Sequence, residues 1–493
     1  MLLPISRQKD LEVLYLLCTS EKLSYPLIEK KINLSLRTIR NIVKRLNISI
    51  EDKFQIKDFI LSSNKGEVYI SSQYLATKFD ILFKLRLEWY KESPSTRLIS
   101  TIFSSYDKTY DEIAKILFLS PAGLRKVISK TNEYLHHFKF QIRTRNGRLS
   151  FEGDEMKIRI FLFQFFSHTF YNIEWPFESE ELNKIKEILP LDSLPNVVKQ
   201  SSIKVQSYYL LIHILKNRFT QDQFISLKLS NSDLDIFSYF YSEDNSSLSE
   251  ISIFKNLPEV EKKNEVFIVE FCLRMYIPEI DSENLQIHFG EFFEKSNNDT
   301  AILATSLVNI LDNKFFRETG SSSNKLRIYQ VTLFLLFFKY IGETIAPFLY
   351  MYFPKPTYHL YTEDKFMNTI KNTIYSLIKD QSTTFQNYIS SFLYSLYRPQ
   401  IQNKVYIYLE FFKDNAADYY IKKRIHTIFN PEHIVFTSKM DECDLIVTDT
   451  FDIKKDKDKL FYLSGTNDEK GWRDLLKDIQ IISTNKILNA QHF

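Results

Sequence analysis

Apolar residues recur through Arg7 to Leu17 at Leu11, Val13, Leu14, Leu16 and Leu17, a spacing that predicts a helix with a wide buried face. A shorter helix is expected from Tyr25 to Ile32. Asn33-Leu34-Ser35 then makes a turn, and the Ser35 hydroxyl is placed to cap the following LRTIRNIVKRLN. In that third helix Leu36, Ile39, Ile42, Val43 and Leu46 share one face. Arg37, Thr38, Arg40, Asn41, Lys44 and Arg45 are left outside, and no acid lies between Ser35 and Asn47. Alternation in KFQIKDFIL and EVYIS about Ser62 to Gly66 predicts a hairpin with Lys65 at its tip.

The same order of elements returns. A short helix around Ser95 to Ser104 is followed by TYDEIAKILFLS from Thr109 and by SPAGLRKVISKTNEYL from Ser120. Ser120 before Pro121 is a strong helix start: serine accepts a free amide, and proline fills a first-turn position that needs no donor. The last helix exposes Ala122, Gly123, Arg125, Lys126, Ser129 and Lys130 and turns Leu124, Val127 and Ile128 inward. FKFQIRTRNGRLSFEG is two alternating strands about Asn146-Gly147, a tight-turn pair, with Arg143, Arg145 and Arg148 near the tip.

This is the pattern of two winged helix-turn-helix units in tandem, each offering a basic helix to a major groove. Arginine and asparagine suit bidentate contacts to guanine and adenine, and Lys65 and the second hairpin suit phosphate. The competing reading of either unit alone is a three-helix bundle with solvated cations; the duplication favours duplex DNA. Charge placement agrees. Net charge is only +3, but residues 1–154 hold 26 Lys/Arg against 17 Asp/Glu, a basic head on a mildly acidic body.

At 493 residues, with 44% hydrophobic and 25% charged residues, the chain is a folded multidomain protein, and nine glycines and fourteen prolines leave helix to dominate. Cys18, Cys272 and Cys443 are scattered and form no Cys-x-x-Cys pair, which argues against a disulfide framework or zinc ribbon and for a reducing compartment. The first residues lack the pattern of a signal peptide, and the apolar run Val331 to Phe338 is too short to span a bilayer. A cytoplasmic location and a buried helix are expected. No glycine-rich phosphate loop, His-Glu-x-x-His or Gly-x-Ser-x-Gly occurs, so no enzyme activity, catalytic residue, metal site or cofactor is expected; Asp441, Glu442, Asp444 and Asp449 read as solvated acids beside a strand.

The second hairpin running into FEGDEMKIRIFLFQFFS, and Tyr171 to Glu178 with its Glu-Trp-Pro-Phe-Glu segment, resemble the Mga-type virulence regulators, which include the AtxA-type toxin activators. The resemblance implies a mainly α multidomain chain. Its expected parts are winged helix-turn-helix units at 1–75 and 76–170, helical phosphotransferase-regulated domains at 171–287 and 288–400, and an enzyme-IIB-like α/β domain at 401–493. It also implies a DNA-binding transcription regulator, a global or virulence-gene activator answering to the sugar phosphotransferase system. Expected partners are double-stranded DNA, RNA polymerase, further copies of the chain in a homodimer or higher oligomer, and the phosphocarrier protein, with no membrane. The alternative is an RNA-binding antiterminator carrying the same regulatory domains; a third reading is a scaffold whose C-terminal domain mediates dimerisation.

VQSYYLLIHILKNRF, NEVFIVEFCLRMYI, TAILATSLVNILDNKFF, LRIYQVTLFLLFFKYI and FMNTIKNTIYSLIKD are helical. His213, followed by Arg218, is the candidate phosphoacceptor; a core histidine is the competing reading, and His288 and His359 are less well placed. KVYIYLEFF, HIVFTS, CDLIVTDT and KLFYLSG alternate with helices near Asn415 to Phe429 and Trp472 to Ile482, predicting a three-layer domain with a partly parallel sheet. Its first loop, Glu410 to Asp414, has no cysteine to carry phosphate, and Cys443 is expected to be buried and inert.

Overall fold

The computed structural model describes residues 2–63, 66–170, 173–194, 196–225, 230–240, 252–255, 257–316, 320–342, 365–379, 381–397, 404–411, 416–450 and 459–489. These are mostly helical with three small sheets. Among them no helix is long and apolar enough to cross a membrane. The chain divides into two compact units, Met1–Ile302 with Thr332–Thr357, and Leu303–Val331 with Tyr358–Phe493.

The first unit opens with α1 (Ile5–Cys18), β1 (Leu23–Ser24), α2 (Tyr25–Ile32), α3 (Leu36–Phe54), β2 (Ile60–Ser62) and β3 (Glu67–Ile70). Strands order β1-β3-β2, all antiparallel, so a third strand joins the expected hairpin. The expected strand from Lys53 is corrected. α3 continues through Phe54 because Ile50 extends the buried stripe Ile39, Ile42, Val43 and Leu46 by another turn, and Gln55 ends it in a left-handed conformation.

Next come α4 (Lys78–Glu92), α5 (Pro94–Ser104), α6 (Tyr110–Ile116), α7 (Pro121–Leu135), β4 (Phe140–Arg145), β5 (Arg148–Gly153) and α8 (Glu155–Phe170). α4 has no counterpart among the sequence-predicted elements. It buries residues on several sides (Leu82, Leu85, Leu87, Trp89, Tyr90) and so shows no single stripe. Asn146 and Gly147 both take positive φ, as the two-residue hairpin turn requires. At the other end of the hairpin Gly153 has φ 158°, and a β-carbon there would lie 2.5 Å from that of Phe140.

α8 is buried along nearly its whole length, with Phe161 and Phe165 stacked at 5.7 Å. It is followed by α9 (Ser179–Ile188), α10 (Asn196–Lys199), α11 (Ser202–Phe219), α12 (Asn231–Phe240), α13 (Ser252–Lys255), α14 (Glu259–Tyr276) and α15 (Glu283–Lys295), of which α11 packs along it. α16 (Asp299–Phe315) and α17 (Ser321–Ile341) follow, and Val331 to Phe338 is largely buried within α17 as expected.

The second unit adds α18 (Lys365–Leu377) and α19 (Thr383–Tyr397), then β6 (Val405–Glu410), α20 (Ala417–Ile428), β7 (Ile434–Phe436), β8 (Leu445–Thr448), β9 (Leu460–Tyr462) and α21 (Glu469–Asn489). The sheet orders β7-β6-β8-β9 and every described pair is parallel. Val405, Ile407, Leu445 and Val447 on one face share a core with Ala417, Ile421 and Ile425 of α20 and Trp472, Leu475 and Ile479 of α21. Both helices therefore cover the same face, and the described residues form two layers in place of the expected three. Phe412 to Asp414 of the first loop lie outside the described residues. Cys443 is buried, which raises its thiol pKa and leaves it protonated.

Candidate nucleic-acid interface

Each basic helix is held by its own side chains, at its N-terminus and again twelve residues on. Ser35 accepts from the Thr38 amide at 3.3 Å, and Ser120 accepts from Gly123 at 3.1 Å. Twelve residues on, an asparagine clips the helix to its hairpin. Asn47 donates to the Ile60 carbonyl at 2.8 Å and accepts from its amide at 2.9 Å; Asn132 makes the same pair to Ile142 at 2.9 and 2.7 Å. The start of the preceding helix is tied to the hairpin turn in both cases, Tyr25 N–H to the Gly66 carbonyl at 3.3 Å and Tyr110 N–H to Gly147 at 2.7 Å.

The helical positions of the two copies lie at one constant offset of 85 residues: Ser24 to Thr109, Tyr25 to Tyr110, Asn33 to Phe118, Ser35 to Ser120, Arg40 to Arg125 and Asn47 to Asn132. Apolar periodicity carries no sign of the two clip asparagines. The spacing of serine and asparagine in both copies was the signal that would have found them.

On α3, Arg37, Arg40, Asn41 and Lys44 are exposed, with the Arg40 guanidinium 5.3 Å from the Tyr25 ring centroid. Two further expected contacts have partners within the fold, although Arg45 remains exposed. Arg45 is engaged by the buried carboxylate of Asp10, with Nη2 at 2.5 Å from Oδ1 and Nε at 3.3 Å from Oδ2, which anchors α3 to α1. Thr38 is half-buried, and its hydroxyl lies 2.8 Å from that of Ser35, inside the cap. Lys65 lies outside the described residues.

On α7, Arg125, Lys126, Ser129 and Lys130 are all exposed. Arg143 and Arg145 are exposed too, but both pair with Glu152 across the hairpin, Arg143 at 2.9 Å, so their charge is partly offset. Arg148 is exposed beside the Asn146-Gly147 turn. An open groove of about 1300 Å³ runs between α7 and the hairpin, with Ser129, Asn132, Lys139, Gln141 and Arg143 among its lining.

Residues 82–166 match the Mga helix-turn-helix domain. The chain thus carries an Mga-type helix-turn-helix domain over these residues. The Mga match begins within α4 and ends within α8, so it takes in the helix that sequence periodicity missed. The chain is 27% identical over 172 residues to the capsule synthesis positive regulator AcpB of Bacillus anthracis, covering 35% of this chain and 34% of that protein. It is 28% identical over 103 residues to a protein named as a trans-acting regulator in Streptococcus pneumoniae serotype 4, covering 21% of each. The matches thus span about a third and a fifth of these relatives' lengths.

Behind the Mga domain, one face of α11 touches two of its helices and the segment that follows it. The His213 ring lies 4.4 Å from Phe177, 5.9 Å from Trp175 and 5.7 Å from Phe103 of α5. The Glu-Trp-Pro-Phe-Glu segment therefore anchors its aromatics here, and what they enclose is His213. Asn217 donates to the Phe103 carbonyl at 3.1 Å, and Arg218 donates to both carboxylate oxygens of Glu155 at 2.8 and 2.7 Å.

His213 is only 6% exposed. Burial, with a smaller contribution from Lys216, lowers its pKa to about 4, although Glu181 Oε2 lies 3.4 Å from its Nε2. Its neutral form belongs to the fold. Unfolded, the ring takes up a proton near pH 6.5, so its contribution is complete above that pH and is lost as pH falls toward about 4. The melting temperature is expected to fall across that window, and His213→Phe should flatten the fall; an unchanged slope in a pH series would refute this assignment. His288 is exposed and its Nε2 lies 2.7 Å from the Tyr239 hydroxyl, whereas His359 lies outside the described residues.

Proposed function

We infer that the chain is a transcription regulator that grips duplex DNA through two repeated winged helix-turn-helix units. The observation that carries this reading is the paired arrangement itself: a serine-capped helix presenting Arg40 or Arg125, clipped by Asn47 or Asn132 to a hairpin. Clipping fixes helix and hairpin as one rigid body, which lets base-edge and phosphate contacts be made together without an ordering cost at binding. Arg37, Arg40, Asn41, Lys44, Arg125, Lys126, Ser129, Lys130 and Arg148 form the contact set, with Arg143 and Arg145 held in place by Glu152.

The five-part division of the chain stands with this proposal, and the parallel four-stranded sheet supports the enzyme-IIB-like reading of residues 401–493. So does the role of activator, after the positive regulator it resembles, with RNA polymerase and a second copy of the chain as partners. Response to the phosphotransferase system would require the cage around His213 to open, since a buried ring is closed to a phosphocarrier. The experiment is competition at moderate salt between a duplex pool and single-stranded RNA for the full chain. Retention of duplex is expected; preferential retention of RNA would move the protein to the antiterminator class.

A further inference from the structure

We propose that Phe118, in the turn between α6 and α7, is a duplex contact that lays its ring against deoxyribose carbons and thymine methyls beside the α7 cations. The proposal rests on the DNA-binding reading above. α6 ends with the Phe118 N–H donating to the Lys115 carbonyl at 3.0 Å and the Leu119 N–H donating to Ala114 at 2.8 Å. This paired closure sets the intervening residue in the left-handed region, and Phe118 has φ 57°. Glycine takes that conformation without strain, asparagine tolerates it, and a bulky side chain is disfavoured.

The repeat supplies the comparison. Asn33 holds the matching position of the first unit at φ 56°. Its short polar side chain suits the backbone, and Phe118 does not. Nor does packing account for the aromatic, because Phe118 is 88% exposed, with Ile116 beside it 42% exposed. The fold therefore gives no reason for a phenylalanine, and a partner does.

Charge identifies that partner. The turn runs directly into Ser120 and the helix end that carries Arg125 and Lys126, and Lys115 is exposed next to it. The leading end of such a helix faces the duplex when it docks, which brings the turn to the groove edge. An apolar ring among cations fits a polyanion that also has apolar edges, and phenylalanine packs on thymine methyls.

The test uses the full chain and a duplex selected by it from a random-sequence pool. Phe118→Gly and Phe118→Asn both suit the turn, so each should fold, and Phe118→Gly should melt no lower than the parent. Each should bind about tenfold more weakly, the effect of uncovering part of an aromatic ring. The salt dependence should be unchanged, since no cation is removed. A duplex with uracil in place of thymine separates the two apolar edges: weaker binding by the parent assigns the methyls, and equal binding assigns the sugars. Parent-like affinity of both variants overturns the proposal, as does a lowered melting temperature in both. Transcription lost with added RNA polymerase at unchanged duplex affinity would assign the ring to a protein surface and likewise overturn it. If the parent itself retains no duplex, the DNA-binding reading falls first.

Discussion

Replacing Glu155 by alanine should destabilise the first unit by about 3–5 kcal/mol, the usual cost of removing one partner from a buried ion pair. Glu155 Oε1 accepts from Arg159 Nε and Arg218 Nε, each at 2.8 Å, and Oε2 accepts from Arg218 Nη2 at 2.7 Å. Arg159 continues to both oxygens of Glu265, and Glu265 Oε1 also accepts from the Ile225 amide at 2.8 Å. Two guanidiniums and two carboxylates are thus balanced in the interior where α8, α11 and α14 meet. Burial opposes the charge on Arg159, but Glu265 and Glu155 outweigh it and hold the guanidinium charged. With Glu155 gone, Arg218, only 2% exposed, has lost its carboxylate. Urea unfolding of the full chain, followed by tryptophan fluorescence, checks this: a shift in midpoint worth less than about 1 kcal/mol would mean that water enters and screens the site.

Alanine in place of both Arg40 and Arg125 should abolish most duplex binding. A phosphate or bidentate base contact by arginine contributes about 1–3 kcal/mol, and the two sites are on separate helices, so their losses should add. The salt dependence tells the roles apart. If Arg125 holds phosphate, Arg125→Ala lowers the salt slope by about one; if Arg40 reads a base edge, Arg40→Ala relaxes sequence preference instead. That outcome would match a division in which the second unit grips and the first reads. Greater damage from Arg40→Ala to overall affinity, in titrations at two salt concentrations, would reverse it. Arg45→Ala is the internal contrast, because it strips the partner from buried Asp10 and should cost stability with little change in salt slope.

The repeat explains why so much of the two N-terminal units was legible. Capping serines, the Asn-Gly turn and the apolar stripes of α3 and α7 act over a few residues, so local order in the chain sets them. Even the clip by Asn47 and Asn132 is written at short range, as the same step from each capping serine. Where local signals competed, the sheet alternation after Lys53 lost to one more buried turn of α3 at Ile50. α4 was hidden because a helix enclosed on several sides has no stripe to show.

What the sequence by itself determined was the kind of most elements and the place of the basic helices, since periodicity, capping and charge need no distant partner. Tertiary structure alone decided which of those charges are engaged. Arg45 meets Asp10 thirty-five residues away, Arg218 meets Glu155 across sixty-three, and Arg159 meets Glu265 across one hundred and six. Those pairings exist only once helices have packed, because a carboxylate seeks its cation in space and not along the chain. The same packing gave His213 its aromatic cage and left Phe118 outside any core.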